Sequence, residues 1–177
     1  ANASTIYGGE GADTITGAAI ANFIDGEEGD DRIVAAAAAV NDSLVGGAGD
    51  DTFAFTNDGT AGDDGDDASA NSYYTANDTV TAGTGTDTLE IEMGADETLA
   101  LTKVEGEDGT FTGFGANTTG VDAISITTID LQANTVSITD GFVDQSDNNS
   151  VSIDTTTNTT ATLTITAAVT GADYTVI

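Results

Sequence analysis

Residues 8–16 are Gly8-Gly9-Glu10-Gly11-Ala12-Asp13-Thr14-Ile15-Thr16, and residues 46–54 are Gly46-Gly47-Ala48-Gly49-Asp50-Asp51-Thr52-Phe53-Ala54. Both match G-G-x-G-x-D-x-U-x at every defined position, U being a large apolar residue. Working outward in steps of nine, 17–25 keeps Asn22 and Ile24 at the sixth and eighth places. Residues 26–34, Gly26-Glu27-Glu28-Gly29-Asp30-Asp31-Arg32-Ile33-Val34, lose one glycine to Glu27. Two extra residues in the alanine run 35–39, read as a small-residue bulge, shift the frame, and Asp42 and Leu44 then fill the same two places in 37–45. Residues 55–72 are two periods long and rich in Asp, which reads as an inserted acidic loop. The frame resumes with Asp78 and Val80 in 73–81 and with Ala82-Gly83-Thr84-Gly85-Thr86-Asp87-Thr88-Leu89-Glu90.

The period has a physical basis. Six residues, G-G-x-G-x-D, make a turn whose glycines reach backbone angles closed to other side chains, so that carbonyls can converge on a cation beside the Asp carboxylate. The remaining x-U-x is a short strand with its middle residue pointing inward. Ile15, Ile24, Ile33, Leu44, Phe53, Val80 and Leu89 are therefore expected to stack as a narrow core. Two nonapeptides complete one coil of a parallel roll, so alternate turns share an edge. The glycine-rich turns beginning at 8, 26, 46 and 82 fall on one edge, and the degenerate ones at 17, 37 and 73 on the other.

Composition narrows the chemistry. The 177 residues include 31 acidic side chains, two basic ones and no histidine, a formal charge of −29. Arg32 and Lys103 are no footprint for a phosphate backbone or an anionic membrane surface, which argues against nucleic acid and lipid partners. The absence of His and Cys excludes a Ser-His-Asp triad, a thiol nucleophile and ordinary zinc or iron–sulfur ligation. Abundant oxygen ligands suit hard cations, calcium above all. No disulfide can staple the fold, so a metal would have to supply that stabilisation. No apolar run is long enough to span a membrane as a helix, the longest being Ile33 to Val40.

The phased nonapeptides resemble the RTX (repeats-in-toxin) calcium-binding β-roll family, over roughly residues 6–90. The resemblance implies calcium ions between successive turns of one edge, held by backbone carbonyls and the sixth-position Asp of both turns. Carried over by position, Asp13 with Asp31, and Asp31 with Asp51, bracket two ions. Carbonyls at Gly8, Gly9, Gly11, Gly26, Gly29, Gly46, Gly47 and Gly49 complete the shells. Asp87 is a further ligand candidate whose neighbour depends on the path of the acidic loop. Asn22, Asp42 and Asp78 hold the sixth place on the other edge without the glycines, and Asp63 and Asp64 could make a separate loop site, as could the polar turn at Asp144, Asp147, Asn148 and Asn149. The family also implies a secreted, extracellular or bacterial cell-surface location reached by type I secretion.

After Glu90 the nonapeptide stops. Segments 123–127, 135–139, 150–154, 162–166 and 174–177 alternate apolar residues with Ser or Thr, which is strand periodicity. The expectation is an all-β chain: a parallel β-roll over 1–90 with its acidic loop 55–72, then a Thr/Ser-rich β region over 91–177. That second region would be a continuing β-solenoid, which the open end of a roll favours, or a small β-sandwich. The expected function is that of a calcium-binding structural protein of the exterior, not an enzyme, whose folding and self-assembly into a surface layer or array are driven by Ca²⁺. The alternative is a calcium-folded module of a larger secreted adhesin, toxin or exoenzyme. Its partners would be calcium and either copies of itself or adjacent domains.

Overall fold

The structure, a computed structural model, describes residues 3–35, 41–55, 78–93, 98–101, 104–105, 111–112, 118–128, 134–139, 150–154, 163–168 and 173–176. Its strands follow one another as β1 (Ser4–Glu10), β2 (Thr14–Thr16), β3 (Asn22–Glu28), β4 (Arg32–Val34), β5 (Ser43–Ala48), β6 (Thr52–Phe55), β7 (Thr79–Thr84) and β8 (Thr88–Met93). Odd-numbered strands of this set pair in parallel in the order β1-β3-β5-β7, and even-numbered ones in the order β2-β4-β6-β8. The alternation follows from the nonapeptide: each x-U-x strand is too short to do more than cross one face before the next glycine turn sends the chain to the other.

The register carries the repeat. Ile15 lies beside Ile33, Ile33 beside Phe53 and Phe53 beside Leu89, steps of 18, 20 and 36 residues. The first step is two nonapeptides. The second adds two residues between Val34 and Ser43, in the alanine-rich segment. The third is twice the first, so the insertion between β6 and β7 adds one further pair of periods and leaves the phase intact. On the other sheet Ile6, Ile24, Leu44 and Val80 align in the same way. Ile24, Ile33, Leu44, Phe53, Val80 and Leu89 are completely buried and Ile15 nearly so, the narrow core expected of inward eighth positions.

The nonapeptide pattern ends at Glu90, whereas the sheets continue. β13 (Ala123–Thr128) pairs in parallel with β8 over six residues, with Ile91 and Ile126 extending the core. β15 (Ser150–Asp154) and β17 (Asp173–Val176) follow on the same sheet. β9 (Thr98–Leu101), β14 (Asn134–Thr139) and β16 (Leu163–Ala168) form a third parallel sheet. β12 (Thr118–Thr119) pairs with β7, and β10 (Val104–Glu105) with β11 (Phe111–Thr112) makes a small antiparallel ladder. Parallel stacking with alternating sheets is the pairing of a solenoid, unlike the antiparallel sheets of a sandwich. Among the described residues no helix is long and apolar enough to cross a membrane.

Candidate metal centre

The turns starting at 8, 26, 46 and 82 stack on one edge, and a ladder of carboxylates runs down it. The backbone N–H of Asp13 donates to Oδ1 of Asp31 at 2.8 Å, that of Asp31 to Asp51 at 2.9 Å, and that of Asp51 to Asp87 at 2.8 Å. Asp87 is thus the direct neighbour of Asp51, the acidic insertion leaving the edge uninterrupted. The ladder goes one step further, since the N–H of Asp87 donates to Oδ2 of Asp122 at 2.8 Å.

Each carboxylate uses one oxygen in the ladder. The other, Oδ2 of Asp31, Asp51 and Asp87, is buried and accepts no hydrogen bond. Such an orphan acceptor is costly unless something positive reaches it. The glycine at the first place of each turn shows what lies beside it. A Cβ at Gly46 would meet Oδ2 of Asp51 and the carbonyl of Ala82; one at Gly26 would meet Oδ2 of Asp31 and the carbonyl of Gly46. At Gly8 the same position faces the Gly26 carbonyl and Oδ2 of Asp13. Three times over, a carboxylate oxygen and the next turn's carbonyl converge on a point from which glycine keeps side chains away.

The second place of each turn is held in left-handed backbone, with φ of 109° at Gly9, 74° at Glu27, 117° at Gly47 and 116° at Gly83. Glu27 therefore accepts a conformation that its Cβ disfavours, because the stacking of the turn demands it.

Among the described residues no three acidic side chains gather at one point, so a cation on this edge must draw largely on carbonyls, as a hard ion does. Adjacent parallel strands lie about 4.8 Å apart. An ion midway between equivalent oxygens of two coils would then sit about 2.4 Å from each, a calcium–oxygen distance and too long for magnesium. The electrostatics agree. Burial, reinforced by Asp87, Asp31 and Asp30, pushes the Asp51 carboxyl up to about 6 although the Asp31 N–H pulls it down. Burial and then Asp122 and Asp50 push Asp87 up as well. Without a cation this edge resists its own charge. The residues fit calcium.

At the fourth turn the pattern closes. Ala82 puts a methyl where Gly8, Gly26 and Gly46 have none, and it is fully buried in the core. The turn that follows is short: Thr119 lies beside Thr81 and Ala123 beside Thr88, so Gly120, Val121 and Asp122 span what takes six residues below. The N–H groups of Asp122 and Ala123 instead cap the Asp87 carbonyl at 2.8 and 3.0 Å. Gly120-Val121-Asp122-Ala123-Ile124 is the G-x-D-x-U half of the nonapeptide, a signal the nine-residue frame passes over. A second missed ladder lies outside the first, where the N–H of Asp50 donates to Asp30 at 2.9 Å and that of Thr86 to Asp50 at 2.8 Å. The doublets Asp30-Asp31 and Asp50-Asp51 mark it in the sequence.

On the opposite edge Asn22, Asp42 and Asp78 form their own buried ladder, N–H of Asn22 to Asp42 and N–H of Asp42 to Asp78, both at 2.8 Å. Asp63, Asp64 and the polar turn at 144–149 lie outside the described residues.

The model of the RTX calcium-binding nonapeptide repeat matches the chain in four copies, over residues 3–19, 7–39, 41–55 and 74–97. No curated protein and no solved structure matches it.

Proposed function

We propose, from the match of residues 3–39, 41–55 and 74–97 to the RTX calcium-binding nonapeptide repeat, that the chain is a structural protein of the bacterial exterior whose folding, and whose assembly into a surface layer or array, is driven by Ca²⁺. The observation that carries this reading is the pair of buried, unpartnered Oδ2 atoms at Asp31 and Asp51, each beside the next turn's carbonyl. Three ions occupy the gaps between the turns at 8, 26, 46 and 82. Oδ2 of Asp13, Asp31 and Asp51 and the first-place carbonyls of Gly26, Gly46 and Ala82 contribute to holding them. The fourth gap, with the Ala82 methyl and the shortened turn, takes none.

The mechanism is electrostatic. With calcium scarce, a charge of −29 holds the chain expanded. Where calcium approaches the 10⁻⁴–10⁻³ M range of weak extracellular modules, the turns are neutralised and binding free energy becomes folding free energy. RTX proteins are typically secreted, which supports the extracellular location. The role is structural, not catalytic, a reading supported by the lack of His and Cys.

Self-association draws support from the sheets themselves: among the described residues β1, β2, β16 and β17 each have a neighbour on one side only. Such edges accept a further coil. The same edges favour the second reading, a calcium-folded module flanked by other domains of a secreted adhesin, toxin or exoenzyme.

The test is calcium titration of chelator-treated protein, followed by circular dichroism and sedimentation together. A cooperative gain of β-structure followed by large assemblies is the expected result. Folding into strict monomers at high concentration would leave the module reading in place of the array. No response to calcium would remove both.

A further inference from the structure

On the second edge, one side-chain nitrogen stands at a point where oxygens converge. Nδ2 of Asn22 donates to the carbonyls of Ala18 at 2.8 Å and Ile20 at 2.6 Å and to Oδ1 of Asp42 at 3.0 Å. Its own Oδ1 accepts the Ala18 N–H at 3.2 Å. The residue is 3% exposed. Reversing the amide would set an oxygen against three oxygens and an NH₂ group against an N–H, so the network fixes its orientation.

Two carbonyls and a carboxylate around one point make the hard-oxygen set that calcium takes. The backbone N–H of Asn22 donates to the next carboxylate of its ladder just as those of Asp13, Asp31 and Asp51 do on theirs. Asn22 therefore holds the place of a ligating Asp. It differs in bringing its own donor: where Asp31 and Asp51 leave Oδ2 unpartnered, the amide satisfies the oxygens that face it.

We propose that Asn22 is the residue that keeps calcium out of the first turn of this edge, its amide standing in for the cation and closing the turn without metal. The proposal rests on the calcium reading of the opposite edge. Its consequence is a one-sided demand: the 17–22 turn needs no ion to close, whereas the glycine edge does.

The substitution Asn22→Asp replaces the donor with a fourth oxygen and tests this directly. Calcium binding to the full chain and to N22D is measured by calorimetry, with circular dichroism in chelator and in calcium alongside. The expected result is one more ion bound by N22D than by the parent, with less β-structure in chelator and full recovery in calcium. An unchanged stoichiometry in N22D beside a calcium-binding parent would overturn the role of Asn22 and leave the other edge untouched. An N22D chain that fails to fold even at millimolar calcium would overturn it too, since the ion was to replace the amide. A parent that binds no calcium would instead overturn the reading of the glycine edge, and the parent trace alone reveals it.

Discussion

Exchanging Asp51 for Asn should change stability in opposite directions with and without calcium. In the metal-free fold the Asp51 carboxyl is pushed from 3.8 to about 6, chiefly by burial, so at neutral pH its charge opposes folding. Two pH units at about 1.36 kcal/mol each make that cost roughly 3 kcal/mol. Asn keeps an Oδ1 acceptor for the Asp31 N–H and places an NH₂ group on the side facing the Ala82 carbonyl. Metal-free D51N should therefore be more stable than the parent. In calcium the sign reverses. At a hundred times its Kd a single site contributes about 2.7 kcal/mol, and D51N forfeits at least the one built from Oδ2 of Asp51 and the Ala82 carbonyl.

The assay is urea unfolding followed by circular dichroism at pH 7, once in EDTA and once in saturating calcium. Sodium sulfate is added equally to both chains in EDTA, to populate the folded form. The expected pattern is a higher urea midpoint for D51N in EDTA and a lower one in calcium. A loss of similar size in both media would refute the reasoning, because Asp51 would then act only as the acceptor of the Asp31 N–H.

Gly46→Ala should cost calcium affinity, since the added methyl meets both Oδ2 of Asp51 and the Ala82 carbonyl; calorimetry should find at least one ion fewer. Glu27→Gly should raise the melting temperature in calcium, relieving the left-handed backbone of Glu27 by up to about 1 kcal/mol. Phe53→Ala empties a fully buried position of the core and should cost about 3–5 kcal/mol in calcium, measured by urea midpoint. Metal-free stability should fall as pH rises from about 4 to about 6. The native Asp51, and Asp87 with it, hold their protons to higher pH than the unfolded chain, so the stabilisation present below the unfolded value near 3.8 is lost through this window. A chelator-treated sample whose urea midpoint rises across that range would contradict the assignment.

Much of this architecture was legible because the glycine turn and the inward apolar residue recur at a fixed spacing. A nine-residue phase that survives an eighteen-residue insertion identifies Asp51 and Asp87 as positional equivalents. Their adjacency, however, is a matter of sheet register, which pairs Phe53 with Leu89 across 36 residues. The strands after Glu90 were visible from their alternation: the segments 123–127, 135–139 and 150–154 fall within β13, β14 and β15. Their partners were not, because alternation states which side chains share a face and leaves open which strand lies alongside. Asp122 escaped notice for a related reason. Only half of its nonapeptide survives, and what identifies it is the N–H of Asp87 that it accepts.

Asn22 shows where a residue-type reading stops and a hydrogen-bond reading begins. By position it is a ligand candidate, and an amide oxygen is an ordinary calcium donor. The proposal that it shuts calcium out rests instead on the direction in which the amide is turned, set by the Ala18 N–H on one side and by three oxygens on the other. On the glycine edge the same sixth place carries a carboxylate whose Oδ2 meets no donor, and burial raises the cost of its charge. One atom, NH₂ in place of O⁻, therefore separates a turn that closes by itself from a turn that closes on an ion. On the proposal above, the first turn of one edge is then set independently of the glycine edge, the one closing on an amide and the other on calcium.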